Sequence, residues 1–168
     1  LRLAGVVYRA HNPRWSFAPQ SGDGAARYGG RFNPVGVPAL YTSRRMETAW
    51  IEAQQGLAFK AQPLTICAYE FDCTDMADLS EDKERREFDV AMADLTCARE
   101  DLVDRRIEPP SWLLARRLME AGLAGIAVPS LAPGARPTDR NVVFWRWSDD
   151  VPHKVRVIDD GARLPRDG

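Results

Sequence analysis

Histidine is almost missing from this chain and cysteine is sparse. Only His11 and His153 occur among 168 residues, so the usual His/Cys spacings of a zinc site cannot be assembled. Neither histidine carries a supporting motif, which argues against a Ser-His-Asp hydrolase. Cys67, Cys73 and Cys97 are an odd number without a C-x-x-C pair. Free thiols in a reducing cytoplasm are the expectation. No apolar run approaches the roughly 20 residues of a membrane span. Leu1–Tyr8 also lacks the charged-then-apolar layout of a secretory signal. Net charge is −1, so no overall attraction to nucleic acid or anionic membrane is expected. No G-x-G-x-x-G follows a strand-like run, and a Rossmann site is not indicated.

What is present is an ordinary globular composition, 45% hydrophobic and 28% charged, at a length that predicts one domain over residues 1–168. Strand signals fall at Leu3–Ala10, Ala39–Thr42, Pro63–Asp72, Gly125–Pro129, Asn141–Trp147 and His153–Ile158. His11–Pro38, rich in proline and glycine, reads as a long irregular loop, and such loops are often functional. A helix is expected after Ser43, a plausible N-cap. Its apolar face would be Met46, Ala49, Trp50, Ala53 and Leu57, with Glu52 at the margin. Arg44 and Arg45 would sit solvated in the first turn. A second helix, Ser111–Ala121, has clear start and stop signals. Met76–Asp104 is charge-rich and helical around Asp82–Met92, without an assigned role. The tail from Gly161 is expected to fray. Strands scattered among helices predict an α+β fold.

The densest stretch for chemistry runs from Gly29 to Ala53. Arg31 follows two glycines, which admit close backbone approach, and its planar fork suits phosphate oxygens. It is an anion clamp or a surface arginine in a turn. Tyr41 can stack on a planar, partly cationic ring, or it is a core tyrosine. Glu52 can stabilise an oxocarbenium-like transition state or grip a ribose hydroxyl, or it is a solvated helix glutamate. Ser130 and Asn141, at a strand end and a strand start, could each bond a ribose or an amide. Arg9 ends the first strand, where an inward guanidinium needs an acid or an anion.

Taken together, V-Y-R at 7–9, G-G-R-F-N-P-V-G at 29–36, A-L-Y-T-S at 39–43, I-A-V-P-S at 126–130 and N-V-V-F-W at 141–145 resemble the RES-domain family. The family is named for an Arg, a Glu and a Ser, matched in order by Arg31, Glu52 and Ser130. Phe32 stands where the family usually has Trp, and 76–110 carries no family motif.

The resemblance implies an ADP-ribosyltransferase-like fold of the diphtheria-toxin type, with two small sheets flanked by helices around an NAD cleft. It implies a toxin of a type II toxin–antitoxin system, similar to the ParT type. NAD would be the substrate, with no metal. The nicotinamide–ribose bond would be cleaved and ADP-ribose passed to a protein; a glycohydrolase or phosphorylase is the alternative within enzymes. Arg31, Tyr41 and Glu52 would be catalytic. Arg9, Gly30, Arg31, Asn33, Tyr41, Thr42, Ser130 and Asn141 would bind NAD. The implied partner is an Xre-like antitoxin that occludes the site in a cytoplasmic hetero-oligomer, with no direct nucleic-acid or membrane contact. An RNA-binding or RNA-cleaving toxin is a rival reading, resting on Arg85-Arg86, Arg105-Arg106, Arg116-Arg117 and on Trp112, Trp145 and Trp147. A non-catalytic interaction domain is another.

Overall fold

The computed structural model describes residues 1–54 and 62–167. Its strands are β1 (Leu3–His11), β2 (Leu40–Ser43), β3 (Thr65–Cys73), β4 (Met76–Asp78), β5 (Gly125–Pro129), β6 (Arg140–Phe144) and β7 (His153–Val157). Helices α1 (Asp23–Tyr28), α2 (Met46–Ala53), α3 (Asp82–Glu87), α4 (Met92–Leu95), α5 (Arg99–Asp104) and α6 (Pro110–Glu120) surround them. The α+β expectation holds. The expectation of two small sheets is corrected: the seven strands are hydrogen-bonded in one sheet, in the order β4-β5-β6-β2-β1-β3-β7. Among the named strands of the described residues, β4–β5 is the one parallel pair. The sheet is narrowest at its middle, where β1 meets β2 through the single pair Tyr8–Ser43, whereas β1 and β3 pair along nine residues.

Period-two alternation builds a core on each face. Ile126, Val128 and Val143 pack with Leu114, Ala115 and Leu118 of α6 and with Leu79, Val90 and Leu95. Their neighbours Ala127, Val142 and Phe144 point the other way, onto Val7, Tyr69 and Phe71. Helix α6 buries Ser111, Leu114, Ala115 and Leu118, the i, i+3, i+4, i+7 stripe of an amphipathic helix. Pro110 opens it, where a missing N–H costs nothing. Gly122, at a φ of +94°, closes it.

Several local expectations need correction. The loop from His11 to Pro38 contains a 3-10 turn at Pro13–Trp15 and the short helix α1. Ser43 does not cap α2; the cap position is Arg45, without a side-chain bond. The apolar face assigned to α2 holds at Ala49 and fails at Met46 and Trp50. Met46 is 49% and Trp50 40% exposed, while Thr48 and Ala49 are the buried residues. Leu57 lies outside the described residues. The short helix packs on the interior strands β1, β2 and β3, with small residues turned in and bulk turned outward. The segment with no assigned role forms β4, α3, α4 and α5. The chain after Gly161 is also tied down: the Asp159 carboxylate accepts the N–H of Arg163 and of Leu164, and Leu164 packs on the core. No helix among the described residues is long and apolar enough to cross a membrane.

Candidate active site

The middle of the sheet is where the chemistry-bearing residues gather. Strand β2 is central, and two residues later the chain enters α2. Tyr41 and Glu52 therefore leave one strand–helix unit toward the same space, a cleft of about 790 Å³ that both line. That volume lies within the usual range for small-molecule sites. Arg9, Gly30, Arg31, Thr42, Ser43 and Asn141 line it too.

Glu52 is held from the β5–β6 side. Ser130 Oγ and Asn141 Nδ2 both donate to its Oε1, each at 2.6 Å. Short bonds onto an anionic acceptor are the strong kind. Ser130 follows the last residue of β5, and Asn141 is the second residue of β6. Asn141 lies directly opposite Ser43 across β2–β6, and Ser43 Oγ donates to Asn141 Oδ1 at 2.7 Å. Ser43 was not among the expected site residues. The signal that could have found it is positional: a hydroxyl at the last residue of the strand that carries Tyr41.

The entry to α2 is fastened to the same loop. Arg45 Nε donates to the buried Asp139 carboxylate at 2.9 Å, and the Arg136 N–H donates to it at 2.8 Å. Hydrogen bonding from Arg45, and then from the Arg136 backbone, lowers the Asp139 carboxyl to about 2. Arg44 lies over the Phe71 ring, 4.8 Å from its centroid. Neither arginine is the solvated first-turn residue that was expected.

The glycine-rich loop is rigid for specific reasons. The Tyr41 hydroxyl accepts the Phe32 N–H at 2.9 Å and donates to Asn33 Oδ1 at 2.6 Å. Burial pushes the Tyr41 phenol up, further from ionisation. The Trp112 indole N–H donates to the Gly30 carbonyl and that of Trp145 to the Phe32 carbonyl. A Cβ on Gly30 would lie 2.6 Å from Asn33 Oδ1 and 2.7 Å from Tyr41 Cζ, so only glycine fits against the tyrosine. Phe32, in place of the family's usual Trp, is buried in the core.

Two expected NAD ligands have other duties. Asn33 is fully buried and does not line the cleft. Its amide donates to the Ala25 and Val37 carbonyls, so it braces the loop from beneath. Thr42 lines the cleft, but its buried hydroxyl donates to the Val142 carbonyl. Tertiary packing claimed both groups. Ser130 reaches the site through Glu52 and is not itself a lining residue.

Arg31 Nη1 donates to the Cys97 carbonyl at 2.7 Å and reaches the Leu95 carbonyl at 3.5 Å. Arg9 Nη1 donates to the Pro19 and Ser21 carbonyls at 3.1 and 3.3 Å. Among the described residues, no carboxylate pairs with either guanidinium; the salt bridges fall elsewhere. A half-buried guanidinium with only carbonyl partners among the described residues has chemistry suited to an anion. The same cationic Arg9, secondary to burial, lowers the neighbouring His11 imidazole. The opposite wall comes from the segment without a motif: Met92, Leu95, Thr96, Ala98, Arg99, Glu100 and Asp101. Its short helices carry no periodic signal strong enough to read from sequence. Among the described residues, no group of three or more His, Cys, Asp or Glu side chains is placed to hold a metal.

No curated protein matches the chain. In fold, it is similar to a chain in the crystal structure of the M. tuberculosis MbcT–MbcA toxin–antitoxin complex, with a TM-score of 0.65. The similarity covers 95% of this chain and 84% of that one at 18% identity. The model of the RES domain matches residues 6–167, nearly the whole sequence and every residue of the cleft, and so the chain belongs to the RES domain family.

Proposed function

We propose that this chain is an NAD-consuming toxin of a toxin–antitoxin pair, cleaving the nicotinamide–ribose bond and passing ADP-ribose to a target protein. The observation that carries the reading is that two guanidiniums with no carboxylate partner among the described residues, Arg9 and Arg31, share one cleft with a carboxylate, Glu52, braced by two donors. A dinucleotide offers the complementary set: an anionic pyrophosphate and a ribose attached to a cationic ring. The fold is read as ADP-ribosyltransferase-like and the chain as a cytoplasmic, ParT-like member of its family. An Xre-like antitoxin covering the cleft is the proposed partner, in line with the complex in which the fold neighbour occurs.

In the proposed reaction the bond from ribose C1′ to the ring nitrogen breaks heterolytically. The electron pair leaves with the ring, which departs as neutral nicotinamide, so no acid is needed at the leaving group. Positive charge develops on the ribosyl C1′ and ring oxygen. Glu52, pinned at Oε1, opposes that charge from a fixed position, the arrangement that helps a transition state most. The acceptor's nucleophile then bonds to C1′ and gives its proton to solvent. Tyr41 serves by the face of its ring, since its hydroxyl is engaged with the loop. Arg9 and Arg31 hold the pyrophosphate.

Arg99 favours a second reading. It is a third guanidinium in the same cleft, suited to a small anionic acceptor such as phosphate, which would make the enzyme an NAD phosphorylase. The RNA reading has less support. Arg85 and Arg117 donate to main-chain carbonyls, and Arg105 and Arg116 pair with acids. The indoles of Trp112, Trp145 and Trp147 bond to carbonyls inside the fold.

The test is incubation of the purified chain with labelled NAD, with and without phosphate and cell lysate, read by mass spectrometry. Free nicotinamide is expected from the wild type, with label on a protein band if a protein is the acceptor. Glu52→Gln keeps the shape and removes the charge; its release rate should fall by about 10²-fold or more. An unchanged rate in Glu52→Gln would remove Glu52 from the chemistry.

A further inference from the structure

We infer that Ser43 is a positioning residue for Glu52, acting through Asn141. The inference rests on the proposed role of Glu52 but adds Ser43, a residue of the A-L-Y-T-S stretch to which the resemblance gave no role. The geometry is a three-member relay. Ser43 Oγ donates to Asn141 Oδ1 at 2.7 Å, and Asn141 Nδ2 donates to Glu52 Oε1 at 2.6 Å. Ser43 is almost fully buried, and this is the bond its hydroxyl makes. Ser43 and Asn141 face each other in register across β2–β6, so the first bond is set by the sheet itself.

The chemistry of a primary amide makes the hydroxyl matter. An asparagine presents an acceptor at Oδ1 and two donors at Nδ2. Turned over, it would press its oxygen against the Glu52 carboxylate and turn repulsive. The Glu52 carboxylate, which only accepts, selects the orientation in which the NH₂ faces the acid, and the Ser43 hydroxyl, donating to the oxygen left on the other side, holds the amide in it. Ser130 supplies the other donor to the same oxygen. Glu52 is thereby gripped at Oε1 from two strands, while its own backbone belongs to α2. The carboxylate does not have to find its position when positive charge appears on the sugar, and preorganisation of this kind is where enzymes gain most.

The experiment compares wild type with Ser43→Ala, Ser43→Thr and Ser43→Cys in two readouts. The first does not need activity. In ¹⁵N-labelled protein the Asn141 side-chain NH₂ should show one strongly downfield, slowly exchanging proton. In Ser43→Ala that signal should move upfield and exchange faster, and in Ser43→Thr it should return. The second readout is nicotinamide release. For Ser43→Ala, kcat should fall about tenfold, the scale of one lost hydrogen bond, with KM for NAD unchanged and with Ser43→Thr restoring the rate. Should Ser43→Ala not fold, Ser43→Cys, nearly isosteric and a weak donor, reports the same two quantities.

An Asn141 signal and a kcat both like wild type in the alanine or cysteine variant would overturn the inference and leave the Glu52 reading standing. A merely structural serine would lower the melting temperature without moving either quantity, which overturns it as well. If the wild type releases no nicotinamide, the functional reading fails, and the Asn141 resonance alone still decides whether Ser43 orients the amide.

Discussion

Replacing Tyr41 by Phe separates what the ring does from what the hydroxyl does. In the fold the hydroxyl has two partners, the Phe32 N–H at 2.9 Å and Asn33 Oδ1 at 2.6 Å. Both belong to buried residues. Removing it leaves a buried main-chain donor and a buried acceptor without partners. Each such orphan costs about 1–3 kcal/mol, and the carbonyls of Gly30 and Phe32 stay anchored by Trp112 and Trp145, which limits relaxation. The two together cost about 2–6 kcal/mol, centred near 4. For a chain of this size about 4 kcal/mol corresponds to a drop in melting temperature of about 8–16 °C. The ring face that lines the cleft is untouched, so turnover per folded molecule should stay within a few-fold of wild type at a temperature well below the transition. Calorimetry and nicotinamide release on the same preparation make the comparison. A melting temperature within about 2 °C of wild type would refute the loop-anchor reasoning. Total loss of turnover in a folded Tyr41→Phe would show instead that the hydroxyl takes part in the chemistry.

Two further substitutions probe the scaffold around the site. Gly30→Ala places a methyl group 2.6 Å from Asn33 Oδ1 and 2.7 Å from Tyr41 Cζ; it should cost about 1–3 kcal/mol as an overpacked site and shift the loop that carries Arg31, raising KM for NAD. A wild-type melting curve and KM would contradict this. Asp139→Asn removes the charge that Arg45 holds at the entry of α2. The Asp139 carboxyl is depressed to about 2 in the fold, against an unfolded value of about 3.9, so its contribution is present above pH 4 and lost as pH falls through 2. The wild type should therefore melt above Asp139→Asn at pH 5–7, with the gap closing between about pH 4 and 2. A gap constant with pH would exclude the ion pair as its source.

Much of this protein follows from local chemistry. The strands at 125–129 and 153–157 could be read because branched side chains alternate over a run bounded by turn residues. The helix at Pro110–Glu120 could be read because proline and glycine bracket an amphipathic repeat. The Gly-Gly-Arg loop, Tyr41, Glu52, Ser130 and Asn141 each had a bland reading when taken alone and stood out together through the resemblance to the RES-domain family. Only the tertiary structure decided that Asn33 and Thr42 brace the scaffold, that Ser43 points at Asn141, and that Arg45 serves Asp139. The face that α2 buries and the single continuous sheet were also beyond the sequence. So was the cleft wall built from α4 and α5, where short charged helices gain their order from what they pack against. The reason is physical: propensity and periodicity act over a few neighbours, whereas the partners of Thr42, Ser43 and Arg45 lie 94 to 100 positions away, and those of Asn33 are set by how its own loop folds back.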